Sequence, residues 1–80
     1  MEHELKTWPE HFEAVREGKK TFEIRKYDRV FKVNDILKLR EYDPGIGMYS
    51  GRFCYRLVTH ILHGGKCGIE EGYVVMSIGG

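Results

Sequence analysis

Residues 52–63 are the longest alternating stretch in the chain. Phe53, Tyr55, Leu57, Thr59 and Ile61 fall on one side, and Arg52, Cys54, Arg56, Val58, His60 and Leu62 on the other. Period-two alternation is the signature of a strand, because successive side chains leave opposite faces of the pleat. The stretch is long for one straight strand, so a bend or bulge is predicted near Thr59. Shorter strands are expected at His3–Thr7, Thr21–Tyr27, Ile36–Tyr42 and Tyr73–Ile78. The last is apolar on both faces and suits a central or barrel-closing position.

One helix interrupts the strands. Thr7 and Glu10 have capping-box spacing, Pro9 suits a first turn, and Trp8, Phe12 and Val15 form an i, i+4, i+7 stripe. Gly18 supplies the stop, so the helix is expected over Trp8 to Glu17. A helix this short needs a sheet to pack against. Turn residues cluster at 43–47, and a glycine-containing loop is expected over 64–72. The order predicts an α+β, mainly β domain, with one N-terminal helix and a curved, mainly antiparallel barrel of five or six strands. Leu5, Phe12, Val15, Phe22, Ile24, Leu37, Leu39, Tyr55, Leu57, Ile61, Val74 and Met76 are the expected core. Truncating Leu57 or Ile24 to Ala would then cost about 2–5 kcal/mol.

The 80 residues suffice for one domain, 1–80, with a thin stability margin. No apolar run approaches a membrane span, and the start lacks the pattern of a signal peptide, so a cytoplasmic location is the expectation. Cys54 and Cys67 are then expected as thiols. His60, His63 and Cys67 do not have zinc-ligand spacing, and no metal or cofactor is expected. The net charge of +1 argues against a strongly basic coat for nucleic acid. Its distribution is uneven: residues 16–32 carry seven positive and three negative side chains. A local basic patch attracts phosphate even on a nearly neutral chain.

That patch contains Gly18-Lys19-Lys20-Thr21-Phe22-Glu23-Ile24-Arg25, a G-x-K-x-x-E-x-R arrangement on a turn entering a strand. Alternation puts Glu23 and Arg25 on one face, read as the open one, and Phe22 and Ile24 on the other, read as core. A carboxylate beside a guanidinium, with Lys20 upstream, is suited to an anionic, hydrogen-bonding ligand such as a nucleotide. A solvated strand face with locally paired charges is the plainer reading of the same residues.

Gly18, Lys20, Glu23 and Arg25 resemble the signature of the ASCH (activating signal cointegrator homology) domain of the PUA-like superfamily. The resemblance extends to His3-Glu4-Leu5-Lys6 with Trp8-Pro9, to Phe31–Leu37, to Leu39–Asp43 and to Gly72–Met76, and is to the small stand-alone subfamily of bacteria and phages. It implies a PUA-like β-barrel and a cleft that binds single-stranded or loop RNA, or a nucleoside or nucleotide. Lys6, Trp8, Lys20, Glu23, Arg25 and Tyr73 are its expected lining, although the helix stripe also assigns Trp8 to the core. Arg52, Arg56 and His60 form a basic stripe, read as a solvated outer face. Tyr42 is a further candidate for the rim.

Some small ASCH-like proteins are amidohydrolases acting on acetylcytidine, with a lysine placed like Lys20. Lys20 and Glu23 are therefore the candidate catalytic residues. Glu23 stands where that pattern has its second threonine, and a carboxylate beside a lysine favours the unreactive ammonium. Glu70 and Glu71 are the nearest stand-ins for the pattern's later acid. Binding without turnover is thus expected, with the hydrolase as one alternative and a protein-interaction module as another.

Overall fold

A computed structural model describes residues 1–80. The elements run β1 (Glu2–Thr7), α1 (Pro9–Arg16), β2 (Phe22–Lys26), β3 (Ile36–Asp43), β4 (Met48–His63) and β5 (Tyr73–Gly79). They form one five-stranded, curled, half-barrel sheet in the order β1-β3-β4-β5-β2. Every neighbouring pair is antiparallel except β1 with β3, which is parallel. A parallel pair needs a long crossover, and α1 and β2 lie within it. The architecture is the expected mainly β one, with β1 and β2 left as the two edges.

The concave side holds Leu5, Val15, Phe31, Leu37, Leu39, Val58, Val74, Met76 and Ile78. Helix α1 closes over them with Phe12 and Val15. Its C-terminal end is fixed twice. The Lys19 amide donates to the Ala14 carbonyl at 2.9 Å and the Gly18 amide to Val15 at 3.0 Å, with Gly18 at φ +78°. This paired 6→1 and 5→2 pattern suits a residue without a Cβ. Arg56 Nη2 adds a bond to the Val15 carbonyl at 3.1 Å.

The predicted bulge is present in β4. Val58 pairs with Ile78 and His60 with Ser77, so Thr59 is the extra residue. An extra residue inverts the facing of everything before it relative to everything after it. Ile61 therefore packs against the core as expected, while Tyr55 and Leu57 point outward and Cys54, Arg56 and Val58 point inward. The expected burial of Tyr55 and Leu57 is corrected accordingly. Arg52 and His60 are exposed, as a solvated stripe requires, but the two arginines turn inward and are paired: Arg52 with Glu13 of α1 and, at 3.6 Å, with Glu41, while Arg56 reaches the helix end. Hydrogen bonds from Arg16 and Arg52 hold the Glu13 carboxyl at about 2.

Strand β2 is inverted too. Glu23 is buried, and Phe22 and Ile24 are exposed rather than core. Helix α1 starts one residue late. Its N-cap is Trp8, which makes no side-chain cap bond, and Thr7 is instead the last, buried residue of β1.

Asp35 anchors the start of β3. Its carboxylate accepts from His3 Nε2 at 2.7 Å, from the Lys32 amide at 2.9 Å and from the Met1 amino group at 3.1 Å. Burial works to raise the Asp35 carboxyl, but these donors outweigh it and hold it down at about 2, from an ordinary 3.8.

Two outcomes follow from these contacts. Leu39→Ala should cost about 2–5 kcal/mol in urea unfolding, and Leu57→Ala, at a position 36% exposed, much less than that. Equal losses would contradict the outward facing of Leu57. Because Asp35 titrates lower folded than unfolded, its contribution is complete above pH 3.8 and drains as pH falls toward about 2. Asp35→Asn should be less stable than the parent at neutral pH, and the gap should shrink across that acid window. A gap independent of pH would refute the assignment.

Candidate functional site

Curling brings β1 and β2, the two ends of the strand order, to face each other across a seam. No backbone ladder joins them. Arg25 spans the gap: its Nη2 donates to the Lys6 carbonyl of β1 at 2.8 Å. Glu23 and Arg25 lie on the inner face although Phe22 and Ile24 are the more apolar pair. The charge is tolerated there because both Glu23 oxygens are paired and Arg25 reaches the open seam.

The resulting cleft has a volume of about 470 Å³, within the range of roughly 300–1,000 Å³ usual for small-molecule sites. Lys6 and Thr7 come from β1, Trp8 and His11 from the start of α1, Lys20 from the turn after Gly18, and residues 22–25 from β2. The glycine turn sets Lys20 beside the strand that carries its partner. Glu23 is 2% exposed and joins the cations: Oε1 lies 3.5 Å from Lys20 Nζ, and Oε2 lies 3.1 Å from Arg25 Nε. A buried carboxylate is costly unless paired, and two cations on its two oxygens meet that need. Glu23 in turn fixes the direction of both cations, which remain partly open to the cleft.

Trp8 is 54% exposed at the cleft wall and not part of the core. At the N-cap its side chain leaves the helix before the buried stripe begins. Five of the six expected lining residues, Lys6, Trp8, Lys20, Glu23 and Arg25, share this cavity. Tyr73 does not: it pairs with Lys26 at the far end of β2. Glu70 and Glu71, in the loop before β5, are not in the lining either, so no second carboxylate accompanies Glu23 there. Tyr42 lies on the outer face, under the Lys6 ammonium at 4.5 Å.

Sequence reasoning missed Thr7, His11, Phe22 and Ile24 in the lining. The spacing of Trp8 and His11, three apart at a helix start, was the available signal for His11. The Thr7 hydroxyl is buried without a hydrogen-bond partner. Cys54 is not in the lining, and desolvation pushes its thiol up against the opposing Arg56.

Arg25→Lys keeps the charge and removes the bond to Lys6. It should destabilise by about 1–3 kcal/mol in urea unfolding, since bonds from charged donors are worth that order. Amide exchange should speed up selectively in β1 and β2. Unchanged exchange at both edges would contradict the pinning role. Thr7→Val removes an unpaired polar atom at constant shape, and should be neutral or stabilising in the same assay. A loss above about 1 kcal/mol would show that the hydroxyl has a partner.

Residues 2–78 match the profile of a family described as Domain of unknown function (DUF3850). The chain is also similar to the "Uncharacterized 12.9 kDa protein in GpA 3'region" of Escherichia phage P2, with 37% identity over 59 residues. That stretch is 74% of this chain and 52% of the phage protein, so the chain spans about half the length of this relative. The match to nearly its full length places the chain in the DUF3850 family.

Proposed function

We propose that the seam cleft binds a nucleotide, in the context of single-stranded or loop RNA. The observation that carries this reading is that Lys20 and Arg25 bring two cations, held by one buried carboxylate, to a cavity whose wall carries an exposed tryptophan. A nucleotide has complementary parts. Its phosphate suits the cations, and its base offers a flat face to Trp8, a contact worth about 1–3 kcal/mol where it forms. Its edge offers carbonyls to Lys20 or Arg25, which Glu23 holds in place. A cavity of this size admits only an unstacked base, which favours a single strand or loop over a duplex. No helix is long and apolar enough to cross a membrane, and a cytoplasmic RNA is the partner we propose. The protein-interaction alternative has no comparable feature in the cleft.

The hydrolase alternative draws on the same Lys20–Glu23 pair. In this geometry the lysine donates toward the carboxylate, and Glu23 has no second carboxylate beside it in the cleft. We therefore propose binding without turnover.

The test is titration of the protein with uridine and cytidine monophosphates and with a short oligouridylate, followed by the fluorescence of Trp8, the single tryptophan. Binding should quench Trp8 and weaken steeply with salt. Lys20→Ala leaves Glu23 its arginine partner, so the fold should persist while affinity falls about tenfold and the salt slope by about one. Ligand-independent Trp8 emission would refute the assignment. Acylated cytidines followed by chromatography should yield no product. Turnover abolished by Glu23→Gln would make this an amidohydrolase.

A further inference from the structure

The outer face of β1, β3 and β4 carries aromatic side chains interleaved with cations, and none of them belongs to the buried core. Arg40 stacks on Tyr49, with its guanidinium carbon 3.8 Å from the ring centre. Lys38 Nζ lies 4.5 Å from the Phe53 ring centre and 5.9 Å from that of Tyr55. The bulge at Thr59 is what turns Phe53 and Tyr55 outward, where they are 50% and 45% exposed. Their rings sit edge to face at 5.7 Å. The register places Lys6, Arg40 and Phe53 in one row across the three strands, and Lys38 beside Tyr55 in the next. Lys6 also lines the seam cleft, so the band begins where the cleft ends.

A contiguous band of exposed aromatics on a sheet face marks an interaction surface. The cations decide which partner. Arg40 shares its charge with Glu4 at 2.7 Å, while Lys38 faces rings alone. Flat rings beside cations match a chain of flat bases joined by phosphates, and match an acidic or apolar protein surface less well. We propose that this face is a stacking platform for single-stranded RNA and continues the path of a strand whose terminal or unstacked base occupies the cleft. Bases stack on Phe53 and Tyr55, and Lys38 and Arg40 meet the phosphates between them. The proposal extends the cleft reading and rests on RNA being its ligand, but the two are separable because Trp8 reports the cleft alone.

The probes are fluorescein-labelled oligouridylates of about two and about eight nucleotides, a length within the usual span of single-strand sites. Anisotropy reads total affinity and Trp8 quenching reads the cleft. For the parent, the longer oligonucleotide should bind about tenfold or more tightly than the shorter. Phe53→Ala with Tyr55→Ala should remove that advantage and leave the short probe's quenching intact. Lys38→Glu, which keeps both rings, should remove it as well and lower the salt slope, so the result does not hang on the folding of the double variant. A longer probe that gains nothing, with the short one still quenching Trp8, overturns the platform and leaves the cleft. An advantage that survives in both variants also overturns it. Affinity that depends on Phe53 and Tyr55 while Trp8 stays unmoved supports the platform and removes the cleft. Oligonucleotides that fail to bind at all overturn both. Self-association in sedimentation that is lost with Phe53 and Tyr55, and without RNA binding, assigns the face to a second copy and overturns the proposal.

Discussion

The bond from Arg25 to the Lys6 carbonyl is the contact on which the site depends. The sheet is open, and its first and last strands in spatial order have no ladder between them. An unpaired edge is a liability that proteins cover or close. Here a side chain closes it, and a guanidinium is suited to this because it has donors pointing in several directions. Nη2 holds the far edge while Nε holds Glu23. Glu23 then accounts for Lys20, whose ammonium lies on the other carboxylate oxygen. One edge contact thus orders three charged side chains, and the same gap that requires the contact provides the cavity.

Much of this arrangement was legible in the chain. The helix stop at Gly18 and the bulge at Thr59 each have a local cause, a residue tolerant of positive φ and an over-long alternation, and both stand in the structure. The facing of β2 and of the first half of β4 was not legible. Alternation reveals that two faces exist, and apolar content was used to choose the inner one. That choice fails for Glu23, because Lys20 and Arg25 pair both of its oxygens and make its burial tolerable. It fails for Arg52 and Arg56, because α1 covers them and supplies Glu13 and the Val15 carbonyl as partners. Trp8 was drawn into the helix stripe by spacing alone, whereas its N-cap position sends it to the cleft wall. The parallel pairing of β1 with β3 has no local signature, since it is decided by a crossover that includes another strand. Tyr73 was placed at the cleft rim for its amphipathic ring, and the antiparallel register with Lys26 carries it away.

The same inversions give the functional reading its shape. If Phe53 and Tyr55 were core, the outer face would be polar and the cleft would be the whole candidate surface. Turned outward, they add an aromatic band beside Lys38 and Arg40 that meets the cleft at Lys6. A small domain with few buried residues has limited means of holding a partner tightly through one cavity. Two adjoining contact regions for one flexible strand add their effects without enlarging the fold.

The seam pinned by Arg25 is the ligand site we propose. Two-dimensional ¹⁵N–¹H spectra recorded during titration with uridine monophosphate test it most directly. Shifts should concentrate at the backbone of Lys6 to Trp8, His11 and Lys20 to Arg25, at the Trp8 indole N–H and at the Arg25 Nε–H, with β5 and the loop before it unaffected. Shifts centred on the 64–72 loop, or a spectrum unchanged at saturating nucleotide, would contradict it.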